Sequence, residues 1–273
     1  MNHLNIYCLD IFDKDYEKIK DLGYTPVGLG EGKFRPGWLR DNTGENISHK
    51  NASYGEYSFH YWFWKNKIDQ IEDNTWIGFC AYRRFWSQRP NTEEIIKKKD
   101  FLQNIPDEWD HNSVILGNEI YMDRWTLMKI VKHGFRSFLT NPKFLLKKNR
   151  NLKLHFDSFH GYGNLKKAIN LLDKKEKEDF KNFMENNNSY NRGNMFISKS
   201  KDLIKEYYKS IFPWLLRCEK AFGFQDQSYG GKRIYAFLAE RYLSYWFKKY
   251  SKVKVWPIIF YNINQKNFDK YDL

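Results

Sequence analysis

The sequence is poor in the residues that cross-link a fold or organise it around a metal. Three cysteines, Cys8, Cys80 and Cys218, stand far apart; their odd number and spacing offer neither a disulfide framework nor a CxxC metal site, which suits a reducing compartment. The seven histidines show no HExxH-like spacing. Hard cations want several carboxylate oxygens, and the nearest approach to a DxD pattern is Glu108-Trp109-Asp110. There is no GxSxG, and no cysteine has a context that would lower its thiol pKa, so nucleophilic catalysis leaves no trace. Nowhere do about eighteen apolar residues follow one another. The start, MNHLNIYCLDIF, lacks a basic segment ahead of an apolar run. The expectation is a soluble protein, or one that lies on a membrane. Acidic residues are absent from Arg124 to Phe156.

What is present is positive charge and aromatic bulk. Forty-six Lys and Arg against thirty-three Asp and Glu leave +13, which favours an anionic partner: nucleic acid, a phospholipid surface or a phosphate-bearing substrate. Hydrophobic residues make up 41% and aromatics 19%, ample for a packed core. With 273 residues, the reading is one α/β domain with an appended helical part.

Along the chain, LNIYCL (4–9) and YTPVGLG read as strands. SYGEYSFHYWFWKN (53–66) reads as a helix with Ser53 and Glu56 as a capping box. WIGFCA is a central strand that delivers Tyr82, Arg83 and Arg84 to its C-terminal end, where ligands bind in open α/β sheets. A charged helix is expected at about 92–104, a strand in SVILGNEIY, a solvated helix over 164–185 and a strand in NMFIS. Helices at about 201–221 and 227–249 precede a last strand in VKVWPIIFY.

Five features carry candidate chemistry. The polar stretch WLRDNTGENISHKN (38–51) precedes a predicted helix N-terminus, where free N–H groups favour anions. Thr43, Gly44, Asn46, Ser48 and Lys50 suit a nucleotide or its phosphates, and an elaborate capping loop explains them equally well. Arg83 and Arg84 match phosphate oxygens in a bidentate way. Arg233, Glu240 and Arg241 either line a cleft or form a structural network. His155 and His160 could face one site. The basic aromatic run 124–156 suits single-stranded nucleic acid or an anionic bilayer; no RNP, KH or zinc-finger signature supports the first.

Taken in order, LRDNTGENISHKNASYGE, YWFWKN, IGFCAYRRFW, NRGNMFIS and RIYAFLAERYL resemble a bacterial glycosyltransferase family. That family was first catalogued as a domain of unknown function and is common in capsule and O-antigen gene clusters. The likeness spans about residues 4–260. It implies a GT-A-like α/β fold with a mixed central sheet and a helical C-terminal part, as one domain over 1–273. The donor-binding part is about 1–120; the basic insertion and acceptor-side helices are about 121–273. The implied reaction moves a hexose, galactose or galactofuranose among the candidates, from a UDP-linked donor to an oligosaccharide or lipid-linked acceptor.

By position, the resemblance places donor-side motifs on Asp41, Thr43, Gly44, Asn46, Ser48 and Lys50 and on Tyr82, Arg83 and Arg84. The acceptor side is expected on Asn194, Arg233 and Arg241, with His160 joined to them from its own place in LHFDSFHGYG, and the catalytic carboxylate on Asp226 or Glu240. Ala81 replaces a histidine usual in the family, and 124–156 is longer and more basic than its pattern. Many GT-A enzymes end a core strand in a metal-holding DxD; here Tyr-Arg-Arg stands there. No cofactor is therefore expected: Arg83 or Arg84 with Lys50 would stabilise the leaving diphosphate, with Mn²⁺ or Mg²⁺ the alternative. The expected location is cytoplasmic, peripheral at the inner face of the plasma membrane, without a nucleic-acid partner. A nucleic-acid-binding protein and an inactive glycan-binding domain of the same fold are the competing readings.

Overall fold

The computed structural model describes residues 3–91, 97–122, 139, 146–224, 229–262 and 267–268. Its strands are β1 (His3–Asp10), β2 (Thr25–Gly28), β3 (Leu39–Arg40), β4 (Thr75–Ala81), β5 (Arg84–Trp86), β6 (Val114–Leu116), β7 (Glu119–Tyr121), β8 (Ser189–Asn191), β9 (Phe196–Ser198), β10 (Val253–Val255), β11 (Ile258–Asn262) and β12 (Asn267–Phe268). The helices are α1 (Tyr16–Asp21), α2 (Asn51–Tyr54), α3 (Tyr57–Asn66), α4 (Leu152–His160), α5 (Asn164–Asn170), α6 (Lys174–Asn186), α7 (Lys201–Phe222), α8 (Tyr229–Lys232) and α9 (Ile234–Tyr250).

The main sheet runs β10-β6-β9-β4-β1-β2-β3, with β5, β11 and β12 branching from β4. Leu9 of β1 pairs in parallel register with Val27 and with Ala81, so the C-terminal ends of β1, β2 and β4 meet at one edge. Strand β9 alone on this path runs antiparallel to both neighbours, pairing Ile197 with Gly78 and with Ile115. Its beginning, and the turn before it, therefore reach that same edge.

Alternation along the strands divides the core. Tyr7, Leu9, Ile77, Phe79, Val114, Leu116 and Phe196 face helices α3, α7 and α9. Ile6, Cys8, Trp76, Cys80, Ile115 and Ile197 face the other layer, with Trp86, Trp109 and Trp256. The first layer is built largely from rings. Phe79 lies 5.2 Å from Phe63 edge-on, 4.4 Å from His60 and 5.0 Å from Phe196, geometries that favour aromatic contact beyond area burial. Helix α7 starts on Ser200, whose hydroxyl accepts the Leu203 N–H at 3.1 Å, an N-cap of the usual kind.

Several sequence expectations change here. The 53–66 helix is two: Gly55, at φ 56 and ψ −134, breaks it. Glu56 then opens α3 without a side-chain cap, so Ser53 and Glu56 form no capping box. Of the charged helix expected at 92–104, Lys98–Asp100 form only a 3₁₀ turn, and 92–96 lie outside the described residues. The 164–185 helix is α5 and α6, the 227–249 helix is α8 and α9, and the stretches SVILGNEIY and VKVWPIIFY each make two strands.

His60 ties α3 to α7 and to the turn before β9. Its Nε2 lies 3.2 Å from the Asn194 carbonyl, which must accept, so Nδ1 accepts from the Tyr208 hydroxyl at 2.7 Å. Burial pushes the His60 pKa down to about 4. An unfolded histidine titrates near 6.5, so between those values the unfolded chain binds the extra proton. Stability is thus fully present above about pH 6.5 and declines as pH falls towards 4. Urea titrations at pH 7, 6, 5 and 4 should show a smaller pH dependence for His60→Asn than for wild type; parallel curves would refute this account.

Candidate active site

A cavity of about 350 Å³ opens at the edge where β1, β2 and β4 end. Leu9, Ile11, Leu29 and Ala81 form its floor at the strand ends, and Asn51, Ala52, Gly55 and Glu56 come from the α2–α3 junction. Tyr82, Arg83 and Arg84 enter from the β4–β5 turn, and Tyr229 and Arg233 from α8 and the residue after it. Three guanidinium groups thus face one carboxylate, which makes the cavity a site for an anion.

Glu56 is the centre of that arrangement. Its Oε2 accepts from Asn194 Nδ2 at 3.2 Å and from Arg233 Nη2 at 3.5 Å, and 20% of its side chain remains accessible. Burial works to raise its pKa, but Arg233, its own backbone N–H, Arg84 and Asn194 outweigh that and hold the carboxyl below its ordinary value. It is an anion at neutral pH. Gly55 makes the approach possible, since a Cβ there would stand 2.5 Å from Arg233 Nη2. Arg233 Nε is buried with no hydrogen-bond partner, a donor left unused in the cavity wall. Arg83 lies over the Tyr82 ring at 5.1 Å, and Phe12 meets that ring edge-on at 5.7 Å.

Of the residues expected on the donor side, Tyr82, Arg83 and Arg84 line the cavity, whereas the 41–50 group does not. Asp41 is fully buried; its carboxylate accepts from the Gly30 N–H at 2.8 Å and the Ser58 hydroxyl at 2.6 Å. Thr43 accepts from Trp62 Nε1 at 3.0 Å, and Asn46 Oδ1 accepts from the Ser48 hydroxyl at 2.9 Å. Gly44 turns at φ 55, with Asn66 against the place a Cβ would occupy. Lys50 pairs with Glu219 at 2.7 Å, beside Tyr54, whose hydroxyl donates to the same carboxylate at 2.6 Å. Residues 41–50 are an anchor that fastens the strand ends to α3 and α7, and the two residues directly after them, Asn51 and Ala52, form part of the cavity wall.

On the acceptor side, Arg233 lines the cavity and Asn194 touches Glu56. Arg241 and Glu240 instead make a buried ion pair at 2.5 Å. Glu240 Oε1 also accepts the Gly193 N–H at 2.6 Å, and Arg241 donates to His155 Nδ1 at 3.1 Å and covers the Tyr190 ring at 4.4 Å. His160 is buried against Phe237, with ring centres 4.0 Å apart. Burial, with Arg241 close by, holds His155 and His160 well below the usual histidine pKa, so both are neutral. Asp226 and most of the 124–156 basic run lie outside the described residues.

Sequence reasoning passed over Glu56 and Tyr229. Glu56 carried a signal, a glycine directly before a carboxylate within an aromatic helix pattern, which capping satisfied too easily.

Among the described residues the cavity lining does not fit a divalent cation, because its one carboxylate, Glu56, is flanked by guanidiniums and β4 is followed by Tyr82, Arg83 and Arg84. Among the described residues no group of three or more His, Cys, Asp or Glu is placed to hold a metal ion. Nor, among them, is any helix long and apolar enough to cross a membrane.

A family described as a domain of unknown function, DUF4422, matches residues 8–252. No curated protein matches the chain. Among solved structures, the apo structure of WbbM, a bifunctional glycosyltransferase, is similar at a TM-score of 0.68 with 21% identity over 95% of this chain. This chain spans 45% of that one. The likeness gives the fold: a GT-A-like α/β arrangement.

The Glu240–Arg241 pair makes a direct prediction. Removing one partner of a buried pair leaves the other charge uncompensated, which costs about 3–5 kcal/mol. Glu240→Gln should therefore lose a substantial part of that range in urea-denaturation stability; a loss below about 1 kcal/mol would show that the pair does not hold the turn.

Proposed function

The chain belongs to the DUF4422 family, and from that premise we propose that it is a glycosyltransferase that takes a hexose from a nucleotide-diphosphate sugar, UDP-linked, with galactose and galactofuranose the first candidates. The observation that carries the reading is the cavity itself: Arg83, Arg84 and Arg233 converge at the C-terminal ends of parallel strands, where a GT-A-like sheet receives its nucleotide ligand. Guanidiniums keep their charge at any working pH and pair with phosphate oxygens in a forked geometry. Fixed in a partly dry cavity, they oppose the charge that gathers on a departing diphosphate, with no reorganisation at the moment of reaction. In this reading they take the role a divalent cation has elsewhere, and Lys50, engaged with Glu219, is not needed for it. Residues 1–120, joined by Arg233, hold the donor, and the acceptor, an oligosaccharide or lipid-linked glycan of a surface polysaccharide, comes from the side of residues 121–273.

Incubation of the purified protein with a panel of nucleotide sugars that includes UDP-galactose and UDP-galactofuranose should release UDP from one of them, with and without excess EDTA. Arg84→Gln should raise the donor KM about tenfold or more, in line with loss of a charge-assisted contact. Loss of activity in EDTA that Mn²⁺ restores would overturn the metal-free account, and oligonucleotides raising Tm where UDP does not would favour a nucleic-acid partner.

The excess of positive charge, +13 overall, supports peripheral attachment at the cytoplasmic face of an anionic membrane, where a lipid-linked acceptor resides. In flotation assays the protein should rise with phosphatidylserine-containing vesicles and remain below neutral ones; equal recovery with both would remove the electrostatic basis.

A further inference from the structure

We infer that Glu56 is the proton acceptor of the transfer step, the carboxylate that receives the hydrogen of the attacking acceptor hydroxyl. This rests on the glycosyltransferase reading above and adds to it a residue that sequence motifs assign elsewhere. Among the described residues Glu56 is the carboxylate that lines the cavity. Glu240, the other described candidate, has both oxygens committed, Oε1 to Gly193 and Oε2 to Arg241.

The position of Glu56 is prepared on every side. Gly55 supplies the backbone turn that aims it inward, and Asn194 Nδ2 holds Oε2. Asn194 is itself held, through its carbonyl, by His60 and, through Nδ2, by the Ala236 carbonyl at 3.4 Å. Its contacts with Asn194 and Arg233, at 3.2 and 3.5 Å, are long for charge-assisted bonds. A carboxylate has room for about four hydrogen bonds, so this one keeps capacity towards the cavity.

Its electrostatic setting changes with the donor. Arg233 and Arg84 hold the empty-site carboxylate as an anion. When a diphosphate enters, the same guanidiniums turn their charge to the phosphates, their field on Glu56 weakens, and the carboxylate becomes a better base just as a base is required. The acceptor oxygen then forms its bond to the anomeric carbon while the bond from that carbon to the β-phosphate oxygen breaks. The bonding pair leaves on the nucleoside diphosphate, held by arginine, and the hydroxyl proton passes to Glu56, which returns it to solvent. A single displacement of this kind inverts the anomeric centre.

The test uses UDP as binding probe and hydrolysis of UDP-galactose and UDP-galactofuranose as turnover, water serving as acceptor. Glu56→Gln should lower kcat by about 10²–10⁴-fold, while the Tm increase given by UDP is kept or enlarged. Glu56→Ala should regain part of its lost rate in added formate, and Arg84→Gln should not. If Glu56→Gln folds poorly, Glu56→Asp keeps the charge opposite Arg233 while drawing the oxygens back by one methylene, and its kcat should fall at unchanged Tm. Near wild-type kcat in Glu56→Gln or Glu56→Asp, or joint loss of rate and UDP binding without formate rescue, would overturn the assignment. Should the wild-type protein neither bind UDP nor consume any donor, the glycosyltransferase reading itself falls, a result separate from failure of the Glu56 role alone.

Discussion

The carboxylate of Glu240 is the fixed point from which the site is built. One oxygen takes the N–H of Gly193 and the other the guanidinium of Arg241, so a single side chain on α9 pins the turn that leads into β9. That turn carries Asn194, Asn194 holds Glu56, and Glu56 holds Arg233. Apart from the Glu240–Arg241 pair within α9, each link joins separate segments of the chain, and several of the polar groups are buried, where an unmade hydrogen bond is costly. The aromatic layer of His60, Phe79 and Phe196 behind them leaves little room for the parts to shift independently.

Much of the architecture was legible because apolar runs and their lengths are local properties. LNIYCL, WIGFCA and NMFIS all became strands of one sheet, and Arg83 and Arg84 arrived where a strand end delivers them. The site was less legible because its key relations are between distant residues. Glu56 and Arg233 meet across 177 positions, and Lys50 and Glu219 across 169. No local pattern shows that Lys50 is spent on an ion pair, or that Asp41, Thr43 and Glu45 bond to Ser58, Trp62 and Asn66 of α3. Helix breaks were missed for a different reason. The aromatic periodicity over 53–66 continues through Gly55, whose φ of 56 and ψ of −134 end the first helix without interrupting that pattern.

The charge balance of the cavity also explains why a GT-A-like sheet can carry arginines at the end of a core strand. A cation site there would need carboxylates, and carboxylates beside Glu56 would repel it and raise its proton affinity before any substrate arrived. Arginines do the opposite, holding Glu56 ionised and leaving the empty cavity with an excess of positive charge to receive an anion. Their persistent ionisation makes this largely independent of pH, unlike the buried histidines nearby, which are kept neutral.

The reversed direction of β9 has a consequence for how such a chain can diverge. In a wholly parallel sheet, loops at the reactive edge all follow strands; here one of them precedes a strand. Length variation after Ser198 falls on the far rim and leaves the chemistry untouched. An added residue between Asn191 and Met195 would rotate Asn194 away from Glu56 and move the Gly193 N–H off its carboxylate at once. That short stretch should thus be among the least elastic in length of any loop in the molecule, even where its neighbours on the same rim drift freely.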